Sequence, residues 1–190
     1  MFAALLADGR LYELLQRFDE DLAAEQRAGG CPCCGAVLHS ARYRRKPRGF
    51  AGLNSEYDWR LSLCCAREGC RKRATPPSLR FLGRKVYLGA VVVLVSVLRC
   101  GLTPVRMRTL EERVGVNRRT VMRWRQWWCE ELIATPFWRA ASSHLMPPVE
   151  HTELPASLLE RFAGTPIERL ISALRWISPI TSESAMVHVM

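Results

Sequence analysis

Apolar positions recur along the chain with two different periods, and the change of period divides it into segments. In residues 9–28, Leu11, Leu14, Leu15, Phe18 and Leu22 fall at i, i+3, i+4, i+7 and i+11, which predicts an amphipathic helix. Asp8 is placed to cap it and Gly29-Gly30 to stop it. One apolar face on such a helix predicts packing against the rest of the chain or a partner. From residue 31 to residue 83 the helical period is lost. Residues 36–45 and 57–63 read as short strands, and residues 46–55 as the loop between them.

Helical patterning returns at residues 84–132. Residues 84–99 form one apolar helix closed by Gly101. Thr103-Pro104 opens a second helix, with Thr as cap and Pro at the first helical position. Gly115 ends it, and Asn117 caps a third helix that runs to about Leu132. Residues 133–155, with Pro136, Pro147, Pro148 and Pro155, read as a connector. Residues 156–177 hold two short helices, the second opened by the capping box Thr165-Pro166-Ile167-Glu168. Its stripe of Ile167, Leu170, Ile171, Leu174 and Ile177 is expected to be core or an oligomer contact. The last dozen residues are expected to fray. No internal repeat is visible. The division is therefore an N-terminal helix (1–30), a small β segment (31–83), a helical domain (84–132), a linker (133–155) and a C-terminal helical segment (156–190). The fold class is mainly α with a small β ribbon and a three-helix core that contains a helix-turn-helix.

Composition adds little beyond excluding disorder, since 48% of residues are apolar and 24% charged. Charge adds more. The formal net charge is +10, and its distribution is uneven. Residues 31–128 carry 21 Lys and Arg against five acids, whereas the segments on either side are each net −3. A +16 block between two acidic segments points to a polyanionic partner, nucleic acid first. The longest apolar run, residues 86–98, is 13 residues, short of the ~20 needed for a membrane span. Residues 1–6 are apolar but lack a basic leader. The expectation is a cytoplasmic, nucleoid-associated protein without a membrane partner.

In that compartment, eight cysteines suggest metal before disulfides. Cys31-Pro32-Cys33-Cys34-Gly35 contains the spacing C-P-x-C-G, two thiolates on one tight turn. Cys64-Cys65 and Cys70 follow some thirty residues later. Two such knuckles make a closed tetrahedral structural zinc site, with Cys31, Cys34, Cys65 and Cys70 as the expected ligands and Cys33 and Cys64 as the close alternatives. A segment this small and polar would need the metal to hold it. His39 is expected on a strand and outside the ligand set. Cys100 and Cys129 fall in helices and read as buried thiols.

Residues 107–126 fit a 20-residue helix-turn-helix window. Gly115 sits at the turn, and Leu110, Val114, Val116, Val121 and Trp124 occupy the inward positions. Glu111 departs from the pattern, because a small residue usually stands where the two helices approach. The outward face of the second helix carries Asn117, Arg118, Arg119, Thr120, Met122, Arg123 and Gln126. A recognition helix places such side chains against base edges in the major groove of double-stranded DNA. Arg106, Arg108, Arg113 and Arg125 are better placed for phosphates, as are Arg71, Lys72 and Arg73. The bland alternative is a solvated basic helix in a three-helix bundle. Trp127-Trp128 reads as core. Residues 71–81 read either as a linker along a phosphate backbone or as the closing strand of the ribbon.

These features occur in a recognisable order. A C-P-x-C-G knuckle is followed by a second Cys pair with Arg71-Lys72-Arg73, the segment Thr75-x-x-Ser78-x-Arg80-Phe81, an apolar helix and a helix-turn-helix. Together they resemble the N-terminal zinc-ribbon and helix-turn-helix region of insertion-sequence transposases, over residues 31–132. The resemblance implies binding to the terminal DNA of a mobile element. Such transposases continue into a domain with an Asp, Asp and Glu triad holding two metal ions. Only 58 residues follow Leu132, Asp58 is the last Asp and Tyr87 the last Tyr. The expectation is therefore no enzyme but an accessory DNA-binding protein, working with a separately encoded recombinase, and a homodimer is one possibility. The alternatives are a transcriptional regulator at an operator and an inactive transposase remnant.

Overall fold

The computed structural model describes residues 8–45, 48, 54–82, 87–97, 105, 108, 111–112 and 114–182. Helix α1 (Gly9–Ala28) is capped by Asp8, whose Oδ1 accepts the Arg10 N–H at 3.0 Å, and ends at Gly29. Its buried face is Leu11, Tyr12, Leu15 and Asp19, with Phe18 and Leu22 half-buried beside them. Leu14, expected in the stripe, sits at its margin and is 37% exposed. The face is turned toward Tyr12 and Asp19 because Asp19 has a buried partner.

A three-stranded antiparallel sheet follows, in the order β1-β2-β3. Strand β1 (Leu38–Arg44) pairs with β2 (Trp59–Cys65) from Leu38↔Cys65 to Arg44↔Trp59, and β3 (Arg73–Ala74) pairs with β2 on its other side. The second strand begins later than its pattern predicts. Asn54 Oδ1 accepts the Glu56 N–H at 3.1 Å and caps a 3-10 turn over Ser55–Asp58. Tyr57 is thereby carried inward against Tyr12, their rings 5.6 Å apart and edge-on.

Helix α2 (Gly89–Val97) is apolar on every side, and residues 87–95 are buried throughout, as a helix without a polar face must be. The predicted start at residue 84 and end near 99–101 lie outside the described residues. Val105, Arg108, Glu111, Glu112 and Val114 are helical, and α3 (Arg118–Gln126) follows. Beyond α3 the chain widens into a π turn over Trp127–Glu131, with the Leu132 N–H reaching the Trp127 carbonyl at 2.8 Å.

Residues 133–155 are more than the expected connector. They hold α4 (Pro136–Ala141), capped by the Thr135 hydroxyl, and bury Trp138, Val149 and Leu154. Proline at the first helical position starts this helix instead of breaking it. Helices α5 (Ala156–Leu159) and α6 (Pro166–Ile177) complete the chain up to a 3-10 turn over Ser178–Thr181. The α6 stripe is core: Leu170, Leu174 and Ile177 are buried, and Ile167 and Ile171 pack against them. The terminal residues expected to fray lie outside the described residues.

The architecture is mainly α with a small antiparallel sheet. One apolar core takes residues from α1, α2, α3, α4, α5 and α6. A second, much smaller one consists of Cys31, Leu38, Leu63, Cys65 and Ala74. Between them lies a buried polar network. Asp19 Oδ2 accepts from Arg80 Nε at 2.9 Å, and its Oδ1 accepts the Leu79 N–H at 2.7 Å. Arg80 donates onward to the carbonyls of Tyr57 (3.1 Å) and Trp59 (2.9 Å). Arg60 donates to the carbonyl of Pro76, and Ser78 N–H donates to Thr181 Oγ1 at 2.8 Å. The network ties α1, the sheet and the C-terminal turn to one segment, residues 75–82. Among the described residues no helix is long and apolar enough to cross a membrane.

Candidate functional site

The first cysteine knuckle is a tight turn. Gly35 N–H donates to the Cys31 carbonyl and Cys31 N–H to the Ala36 carbonyl, both at 2.8 Å. The turn requires φ +70° at Gly35, a conformation in which a side chain would be strained. The second knuckle turns between Arg67 and Cys70, where Gly69 is also left-handed. The pairing Leu38↔Cys65 fixes one knuckle against the other. As a result, Cys31, Cys34, Cys65 and Cys70 place their sulfurs within 4.8 Å of one another. Cys31 and Cys70 are 3.9 Å apart and Cys34 and Cys65 3.5 Å. Four thiolates at ~2.3 Å from a tetrahedral ion stand about 3.8 Å apart, so the cluster has the size of a metal site. The five-residue step from Cys65 to Cys70 is accommodated by the extra residues of the second turn.

The thiols of this cluster titrate apart. The Cys33 amide holds the Cys31 thiol down at about 7. Burial pushes Cys65 up. Cys70, although the Lys72 amide lowers it, is driven up to about 12 by burial and the neighbouring thiols. Thiols crowded this closely cannot all ionise unless a cation compensates them. By the spacing of their sulfurs and the all-thiol donor set, the four cysteines could hold a metal ion such as zinc.

The alternative ligands stand aside. Cys33 is exposed, and Cys64 Sγ lies 3.8 Å from the Cys65 carbonyl and 3.9 Å from that of Arg71. His39 pairs with Cys64 in the sheet, so it projects from the opposite face to Cys65. Cys129 is half-buried, and Cys100 lies outside the described residues.

Arg71, Lys72 and Arg73 are exposed. Arg73-Ala74 forms the closing strand, one of the two readings of this segment. The other reading fails for residues 74–82, which are buried apart from half-buried Pro77. Arg80 faces Asp19 there, where no phosphate reaches it.

The chain turns at Gly115, φ +65°, two residues before Asn117, the cap of α3. The Gly115 carbonyl accepts from Tyr87 Oη at 2.9 Å, and the Tyr87 ring meets Trp124 edge-on at 5.0 Å. Val114, Val116, Val121 and Trp124 are buried as expected, and so is Trp128. Leu110, Arg106 and Arg113 lie outside the described residues. Asn117, Arg118, Arg119, Met122, Arg123, Arg125 and Gln126 are exposed, as is Arg108. Thr120 is the exception and corrects the expected outward face. It is 4% exposed, with its Oγ1 accepting from Arg123 Nη2 at 3.3 Å. One turn before Trp124 and beside Val121, it falls on the inner side of the helix. Asn117 is exposed, but its Oδ1 already accepts the Thr120 N–H at 2.9 Å. Gln126 donates to Glu130 at 3.2 Å. An open depression runs along this face, lined by Arg119, Met122, Arg123, Gln126, Cys129 and Thr152 among others.

The sequence reading missed the Asp19–Arg80–Arg60 network. The available signal was one carboxylate, Asp19, four residues after Leu15 on an otherwise apolar face. Comparison with protein families, curated proteins and solved structures finds no match to the chain.

Proposed function

We propose that this chain is a DNA-binding protein in which a structural zinc ion holds the four-cysteine ribbon and a helix-turn-helix reads the major groove. It acts as a transposase-related accessory protein of a mobile element and carries no catalytic site of its own. One observation carries the reading: α3 is anchored by Val121 and Trp124 and turns Arg118, Arg119, Met122 and Arg123 outward together. Guanidinium groups on such a face hold guanine bidentately, and the remaining exposed arginines hold phosphates. The α3 N-terminus follows a left-handed turn at Gly115, and Tyr87 fixes that turn. This geometry suits a recognition helix, which enters the groove by its first turns.

For the metal, the support is the all-cysteine donor set. Four thiolates leave no open position, so the ion would stabilise the fold and carry out no chemistry. The ribbon's own apolar cluster is small, and metal binding would supply its folding free energy.

The test is selection of bound sequences from a random duplex pool, using metal-loaded protein at near-physiological salt. An enriched motif is expected. Its position at the ends of a mobile element would support the accessory role, and its position at a promoter would favour a regulator. Absence of any duplex binding would overturn the reading.

A further inference from the structure

We infer that the free edge of the ribbon, strand β1, is a second nucleic-acid contact, a phosphate-binding track built from Arg42, Arg44 and Trp59. The inference rests on the DNA-binding reading and extends it to residues outside α3 and outside the basic run 71–73. Strand β1 is the outermost strand, and every residue after Leu38 on it is exposed. Arg42 and Arg44 are two residues apart and project from one face, about 6.7 Å from each other along the strand. That spacing is close to the step between successive phosphates on one nucleic-acid strand. Trp59 lies opposite Arg44 in the register, and both guanidinium groups lie over its ring, at 4.5 Å for Arg42 and 5.2 Å for Arg44.

Charge alone on an edge strand would serve to block pairing with another sheet. That role makes no demand on how the charges are oriented. Here one indole contacts both cations, which lowers the ordering cost of binding a row of anions. Arg42 is balanced by Glu56 at 2.9 Å, and among the described residues no carboxylate forms an ion pair with Arg44. A polyanion would replace Glu56 and complete Arg44. A second copy of this strand, carrying the same cations, would be repelled.

The experiment measures binding of the full metal-loaded chain to a mixed-sequence duplex over a range of salt. R42Q/R44Q is expected to lose several-fold affinity on every sequence and to lower the log–log salt slope by about 2, near 0.9 per lost phosphate contact. R42K/R44K keeps the charge and retains most of the slope. E56Q removes no arginine and should tighten binding by releasing Arg42. Wild-type protein that binds duplex, with unchanged slopes in R42Q/R44Q and E56Q, would overturn the inference and leave the α3 reading standing. Wild-type protein that binds no duplex would overturn both. A loss confined to an acidic protein ligand, with duplex binding intact, would also count against the track.

Discussion

Asp19 and Arg80, sixty-one positions apart, form an ion pair at 2.9 Å with both side chains closed to solvent. The pair is the centre of the fold's polar interior: α1 supplies the carboxylate, the segment after the ribbon supplies the guanidinium, and the Tyr57 and Trp59 carbonyls each accept from one of its terminal nitrogens. Asp19 has no free oxygen, since Ser78 Oγ and Leu79 N–H also donate to it. Removing one member would leave the other charged and buried. Asp19→Ala is therefore expected to cost about 3–5 kcal/mol, read as a lower urea midpoint. The Asp19→Leu/Arg80→Met double variant should recover part of that loss, because it removes both charges. A single variant within 1 kcal/mol of wild type, a bound set by the same comparison, would show that the pair is not closed in solution.

The cysteine cluster makes a second prediction, about which thiols matter. Cys31→Ser, Cys34→Ser, Cys65→Ser and Cys70→Ser should each lose the metal. Cys33→Ser and Cys64→Ser should retain it, because their sulfurs stand outside the cluster. Elemental analysis of the purified variants reads the difference, and cobalt substitution adds the absorption of a tetrahedral thiolate site. Chelation should melt the ribbon while the helical circular dichroism largely persists, since the helices share a separate and larger apolar core. Metal retained in Cys65→Ser and lost in Cys64→Ser would reassign the second knuckle.

Local signals foretold local structure. Asp8, Asn117 and Thr165 cap the helices they were expected to cap, because capping needs only a side-chain oxygen and the next few N–H groups. The clustered cysteines were legible as two short knuckles, but the choice between Cys64 and Cys65 was not, because it depends on the sheet register that pairs Leu38 with Cys65 and His39 with Cys64. What the sequence concealed depends on contacts between distant segments. Asp19 looks like a flaw in an apolar stripe until Arg80 is brought to it. Arg80 looks like one more phosphate ligand in a basic run until Tyr57 and Trp59 surround it. Thr120 looks outward by its chemistry, and only the packing of Val121 and Trp124 decides that it turns in. The helix in residues 133–155 was hidden by its prolines, since Pro136 reads as a break unless Thr135 is recognised as its cap.

The start of α6 should make stability depend on acid. Thr165 N–H donates to Glu168 Oε2 at 2.7 Å, and Glu168 N–H donates back to Thr165 Oγ1 at 3.4 Å. The Thr165 amide holds the Glu168 carboxyl below the usual range. A carboxyl with a lower pKa folded than unfolded contributes stability above its unfolded value, near 4.3, and loses it as pH falls through the folded value. Glu168→Gln should therefore melt below wild type at neutral pH, and the gap should close on acidification below about pH 4. A gap that stays constant between pH 7 and pH 3, on either side of that value, would mean that the carboxylate charge does not support the helix.

The face of α3 separates two kinds of residue that a sequence pattern lumps together. Arg119 and Arg123 are exposed on the face proposed to meet base edges, whereas Thr120 lies between them and is buried. If base edges are read by this face, Arg119→Ala and Arg123→Ala should each broaden the selected motif at defined positions, at about 1–3 kcal/mol per lost bidentate contact. Thr120→Val keeps the shape and loses the hydroxyl that accepts from Arg123. It should lower affinity modestly, since Arg123 is held less firmly, but leave the motif unchanged. Arg125→Ala, a phosphate contact in this reading, should weaken all duplexes alike and reduce the salt slope by about 1. Selection with each variant on one random pool discriminates these outcomes. A motif altered by Thr120→Val but not by Arg119→Ala would place the reading surface elsewhere on the chain.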